Sequence, residues 1–221
     1  MATEITVRGS HTTYQAPEQA TVRASISFEG PAMEPVYQRV AADLGTVRDS
    51  LAPLTVGGDA PVARWSAERL RTWSNRPWHQ DGARLPLVHH AAVRLAVTFG
   101  DVTALSAWVG EQVGVVEGFR IDDVVWELTP ARRDELLREV RGRAVRDAKE
   151  RAQQFADALG LGEVQPLALA EPGMLGGATG DSAAMPLRAA AAPAGGGREV
   201  ELVPRDIELT AAVDGRFRAG A

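Results

Sequence analysis

RAVRDAKERAQQFADALGLG, residues 143–162, reads as the second half of a long helix. Ala144, Ala148, Ala152 and Ala156 put small side chains on one stripe, which lets a helix lie close against a sheet, here expected to be formed by both ends of the chain. Gly160 supplies a left-handed stop after Leu159. Working back toward the N-terminus, Thr129-Pro130 opens the same helix, a capping hydroxyl followed by proline at the first position. The expected inward line over 130–160 is Leu137, Val140, Ala144, Ala148, Ala152, Phe155 and Leu159. Glu139–Arg143 and Asp147–Arg151 have the favourable i,i+4 order, so the outer face reads as solvated and laced with ion pairs. An acidic partner surface on a second subunit is the alternative for that face.

Two further helices and a set of strands surround this element. Residues 19–29 alternate, with Ala20, Val22, Ala24, Ile26 and Phe28 on one side and polar residues on the other, a strand with one wet face. Glu4–Arg8 is expected to form a short strand, set against it as a hairpin or a crossing through a His11–Pro17 connection. Met33, Val36, Val40, Leu44, Val47 and Leu51 recur at helical spacing. A strand from about Val62 to Trp73 follows, its alternation broken in a way that suggests a bulge. His89 to Phe99 is a long strand. Asp101 caps a shorter helix with Leu105, Trp108, Val109 and Val113 inward. Phe119–Leu128, Glu163–Glu171 and Val200–Val213 are read as strands, the last interrupted at Pro204. Residues 172–198, dominated by Gly, Ala and Pro, are expected to form a flexible loop. VRASISFEG (22–30) echoes VRLAVTFGD (93–101), each leading into a helix and another strand.

Composition narrows the function classes. The 221 residues carry a net charge of −5, 45% hydrophobic and 24% charged residues, and no cysteine. A basic surplus suited to nucleic acid is missing, and disulfides, thiolate metal sites and cysteine nucleophiles are excluded. No apolar run approaches the roughly 20 residues needed to span a bilayer. MATEITVRGS shows neither a basic n-region nor an apolar h-region, so a cytoplasmic protein is expected, with an exported protein whose leader was removed as the alternative.

Taken in order, ITVRGSHTTYQAPEQATV, the Val93–Phe99 strand, the Ala-rich helix and VELVPRDIELTAAV resemble the SIMPL-domain family, which includes the bacterial periplasmic immunogenic proteins. The resemblance covers nearly the whole chain. It implies an α+β fold, with mixed or antiparallel sheets and three helices packed on one side, and assembly into homo-oligomers. It also implies roles in the envelope, stress tolerance or host recognition. Pro17-Glu18 stands where relatives often have proline followed by aspartate, which keeps the acidic turn. The family carries no agreed catalytic residues, so none is transferred. The expected organisation is one SIMPL-like domain over 1–221. In it, two related strand–helix–strand units, about 19–75 and 86–128, are completed by helix 130–160 and the C-terminal strands.

Adjacent His89 and His90 point to opposite faces of a strand and cannot jointly grip one metal from it, so His89 is read as a core histidine satisfied by a neighbour. His79 on the preceding turn and His11 in an early loop are not brought to them by spacing. Asp122-Asp123 reads as a solvated strand start. GxSxG is absent, and GGATG (176–180) and GGG (195–197) lack the Lys-Ser/Thr of a phosphate loop. Trp65, Trp73 and Trp78, interleaved with Arg69, Arg71 and Arg76, are the best contact residues, with Trp65, Trp73, Arg76 and Trp78 chosen as interface or ligand positions. No catalytic residue, metal or cofactor is assigned. The leading expectation is a non-enzymatic, self-assembling, partner-binding protein without nucleic-acid binding or membrane insertion. The alternatives are a small-ligand module on the Trp/Arg strand and a hydrolase or metalloenzyme using His79, His89 and His90.

Overall fold

A computed structural model describes residues 2–78, 84–175 and 202–220. In chain order the elements are β1 (Thr3–Gln15), β2 (Gln19–Gly30), α1 (Met33–Leu51), β3 (Val62–Ala67), β4 (Arg71–Asn75) and β5 (Val88–Phe99). They continue with α2 (Val102–Val115), β6 (Phe119–Glu127), α3 (Pro130–Ala158), β7 (Gln165–Ala170) and β8 (Ile207–Ala219). The fold is α+β, and every strand pairing is antiparallel. The described residues form two compact units, one of residues 17–78, 84–127 and 202–205, the other of 2–16, 128–175 and 206–220.

The first unit is a five-stranded sheet with β5 and β2 at its centre, β6 outside β2, and β3 and β4 following one another along the outer side of β5. Alternation decides its buried face: Val22, Ala24 and Ile26 of β2 and Val93, Leu95, Val97 and Phe99 of β5 lie under the helices. Helix α1 covers them with Val36, Val40, Val47 and Leu51, and α2 with Leu105, Trp108 and Val109. Trp108 packs edge-on to Phe119 and donates its indole N–H to Ser50 Oγ at 3.0 Å, so its polar atom is satisfied. The Asp101 carboxylate caps α2, accepting the Thr103 and Ala104 N–H groups at 2.7 and 3.3 Å. Near the other end of α2, Gln112 takes the buried position expected of Val113, which is 50% exposed.

The two segments that echo in sequence lie side by side. Ala24 sits opposite Leu95, its equivalent 71 residues on, and Val22 and Ile26 face Val97 and Val93. Beyond them β3 pairs with β5 and β6 with β2, so exchanging the two strand–helix–strand segments leaves the strand order unchanged. Between β3 and β4 the chain departs from the single strand read over 62–73. The break at 68–70 changes the register against β5: Trp65 lies opposite Val97 on the helix face, whereas Trp73 lies opposite His90 on the other. An odd number of inserted residues reverses every later side chain, which is why parity alone could not place both tryptophans.

The second unit is the three-stranded sheet β1-β8-β7 with α3 on one face. Strand β1 runs to Gln15 and pairs along its length with β8, not with β2, so His11 lies in a strand and not in a loop. Strand β8 extends to Ala219, beyond the expected end at Val213. Of the expected flexible loop, residues 176–198 lie outside the described residues, and 172–175 form a turn whose Gly173 N–H reaches Asp214 at 2.7 Å.

Helix α3 buries Leu136, Val140, Ala144, Ala148, Ala152 and Ala156, a strict step of four. Phe155 and Leu159, expected inside, are 58% and 65% exposed. Steps of four follow a ridge inclined to the helix axis, which suits a helix crossing a twisted sheet better than the mixed three-and-four stripe. Opposite the alanines sits Gly9: a Cβ there would overlap the Ala144 carbonyl oxygen and the Ala148 amide, both backbone atoms. The helix closes with Gly160 at φ 66° and the bond pair Leu161 N–H to Ala156 O and Gly160 N–H to Asp157 O.

Candidate functional site

The far end of β4 and β5 gathers most of the residues singled out in sequence. Glu29 of β2, His90 of β5 and Trp73 of β4 are register partners and form one row across the open face, away from the helices. The His90 ring stacks on Trp73, centroids 5.1 Å apart and planes 6° from parallel. Its Nε2 is 2.6 Å from Asn75 Oδ1 and its Nδ1 is 3.4 Å from Glu29 Oε2. One face of Trp73 is thus spent on His90, while the side chain remains 48% exposed. Trp78, just beyond the strand, is 83% exposed. Arg76 donates from Nη1 to the Leu85 carbonyl at 2.8 Å.

The remaining candidates separate from this end. Trp65 packs against the buried core and is not at the tip. His89 is on the helix face, its Nδ1 2.7 Å from Ser74 Oγ; it is satisfied by a neighbour as its parity suggested, but it is half-buried and not a core residue. Its neighbour on β4 could have been found from sequence only with the β4–β5 register in hand. His79 lies outside the described residues, and His11 is on β1, 3.3 Å from Arg143 Nη1. Among the described residues no three His, Asp or Glu side chains gather as metal ligands.

Further along the open face, a bulge in β6 changes the reading of Asp122-Asp123. The register of β6 against β2 shifts between Arg23 and Ala24, so Asp122 has no residue opposite it. Both carboxylates then serve the same face: Asp122 Oδ1 accepts from Ser25 Oγ at 3.0 Å, and Asp123 Oδ2 lies 3.7 Å from Arg23. Together with Ser27, Ser66 and Arg94 they line a concavity of about 630 Å³. Sequence reasoning missed this face because a bulge is invisible to alternation.

The model of the SIMPL family, described as a protein of unknown function (DUF541), matches residues 5–217. The chain belongs to the SIMPL family. That span takes in both sheets and all three helices, so the Ala stripe, the echoed strands and the terminal β1–β8 pair are parts of one family architecture. No curated protein matches this SIMPL chain. Among its described residues no helix is long and apolar enough to cross a membrane.

Proposed function

We propose that this SIMPL-family protein acts by binding rather than catalysis, self-associating and engaging protein partners through the exposed end of β4. The observation that carries the reading is Trp78, 83% exposed beside the half-exposed Trp73 on a strand whose five residues are all exposed. Tryptophan offers a large apolar area with little rotamer freedom to lose, the profile of an interface hot spot. Light scattering after size exclusion tests it: mass should rise with concentration in the micromolar range, and Trp78→Ala should weaken association by about 2 kcal/mol, roughly 30-fold. A monomer at every concentration overturns self-association.

A further inference from the structure

We propose that the concavity on the open face of the five-stranded sheet binds a short peptide with free ends, its carboxylate on Arg94 and its ammonium on Asp122 and Asp123. The site stands apart from the tryptophan end and does not depend on the assembly reading. Strand β5 sets Arg94 between Ala92 and Ala96 on the same face and opposite Ser25 of β2. Ala92, Ala96, Ser25, Ser27 and Ser66 are small, so the floor is low and lined with hydroxyls. Arg94 rises exposed from that floor.

Of the arginines around it, Arg23 lies 3.7 Å from Asp123, Arg64 donates to Thr98 Oγ1 at 3.2 Å and Arg71 is 4.0 Å from Glu68, while Arg120, in the same row across Ser25, stands outside the lining. Among the described residues Arg94 has no ion pair or side-chain hydrogen bond. A guanidinium free to present its planar fork suits a carboxylate, which it holds with two parallel bonds. The opposite charge stands at the β6 bulge, where both aspartates serve one face.

The geometry sets the ligand's length. Strands β5 and β6 flank β2, so the two charge centres start roughly 10 Å apart at the backbone. An extended chain covers about 3.3–3.6 Å per residue, so a dipeptide or tripeptide spans the gap once side-chain reach is included. A floor of methyl and hydroxyl groups admits peptide backbone closely. A cavity of about 630 Å³ lies in the range of small-ligand sites.

Titration of the full chain with trialanine, followed by calorimetry or amide chemical shifts, tests the site. Saturable binding is expected at concentrations up to about 10 mM. Acetylating the peptide's N-terminus or amidating its C-terminus should each weaken it roughly tenfold or more, as should Arg94→Gln and Asp122→Asn. Arg48→Gln, a charge change on α1 on the other side of the sheet, and Trp78→Ala should leave it unchanged. No saturable binding, equal binding of the capped peptides, or an equal loss with Arg48→Gln overturns the proposal. The capped peptides keep the test decisive should a variant fail to fold.

Discussion

The two units of this SIMPL chain reach a packed interior by opposite routes. The five-stranded unit fills the space between sheet and helices with large side chains: Ile26, Leu51, Phe99, Leu105 and Trp108 are buried. The three-stranded unit also buries Leu136, Val140, Leu209 and Phe217, but along the second half of α3 it brings backbone to backbone, with Gly9 beneath Ala144 and Ala148 and further alanines along the same ridge. The first route depends on volume and the second on its absence. Substitutions that a large-residue core accepts should therefore be the damaging ones under α3, and the reverse.

The largest effect expected is at Gly9. An added methyl meets the Ala144 carbonyl and the Ala148 amide, which cannot turn aside as a side chain would. Gly9→Ala should cost at least about 3 kcal/mol, read as a lowered midpoint in thermal or denaturant unfolding. Ala148→Leu should cost about 1–3 kcal/mol by overpacking the same contact. In the other unit Ile26→Val, which only removes a methylene, should cost about 1 kcal/mol. A Gly9→Ala protein as stable as the parent would erase the distinction between the units.

Acid sharpens the comparison, because the lowered carboxyl groups lie in the three-stranded unit. Asp147 is held below the usual carboxylate range first by the Ser10 N–H, then by Arg151 and His11, against the opposing effect of burial. Asp214 is lowered chiefly by its bond to Arg8 and also by the Gly173 N–H, again against burial. Groups with depressed folded-state values stabilise above the unfolded carboxyl value, about 3.9, and that contribution is lost as pH falls through the lower folded values. Unfolding midpoints measured downward from pH 5 should fall, and Asp147→Asn with Asp214→Asn should flatten that fall while lowering stability at pH 7. An unchanged acid profile in the double variant would contradict these roles. The smallest effect belongs to Val113→Ser, an exposed position that the helical period places inside: within about 0.5 kcal/mol of the parent.

Elements with a strong local signature were legible in the sequence. The limits of α3 follow from Thr129-Pro130 and Gly160, and β2 and β5 follow from clean alternation, because the physics that forms them is local. What depended on partners was legible only in part. That α3 lies on a sheet made by both ends of the chain was legible from its Ala stripe, but the full length of β1 and its register against β8, some 200 residues away, were not. The break at 68–70 and the bulge at Asp122 each insert residues that reverse parity, hiding the stack of Trp73 on His90 and the shared face of Asp122 and Asp123. Phe155 and Leu159 looked buried because hydropathy does not know the angle at which a helix crosses a sheet.

The exposed aromatics of the two units provide the most direct test of function. Trp78 and Phe155 are both large, apolar and mostly in solvent, but only Trp78 has a second exposed tryptophan, Trp73, close by in the chain. Sedimentation velocity across the micromolar range on the parent, Trp78→Ala and Phe155→Ala separates them. The account predicts association in the parent and in Phe155→Ala, and its loss in Trp78→Ala with unfolding midpoints matched. Association that survives Trp78→Ala and disappears in Phe155→Ala would contradict it.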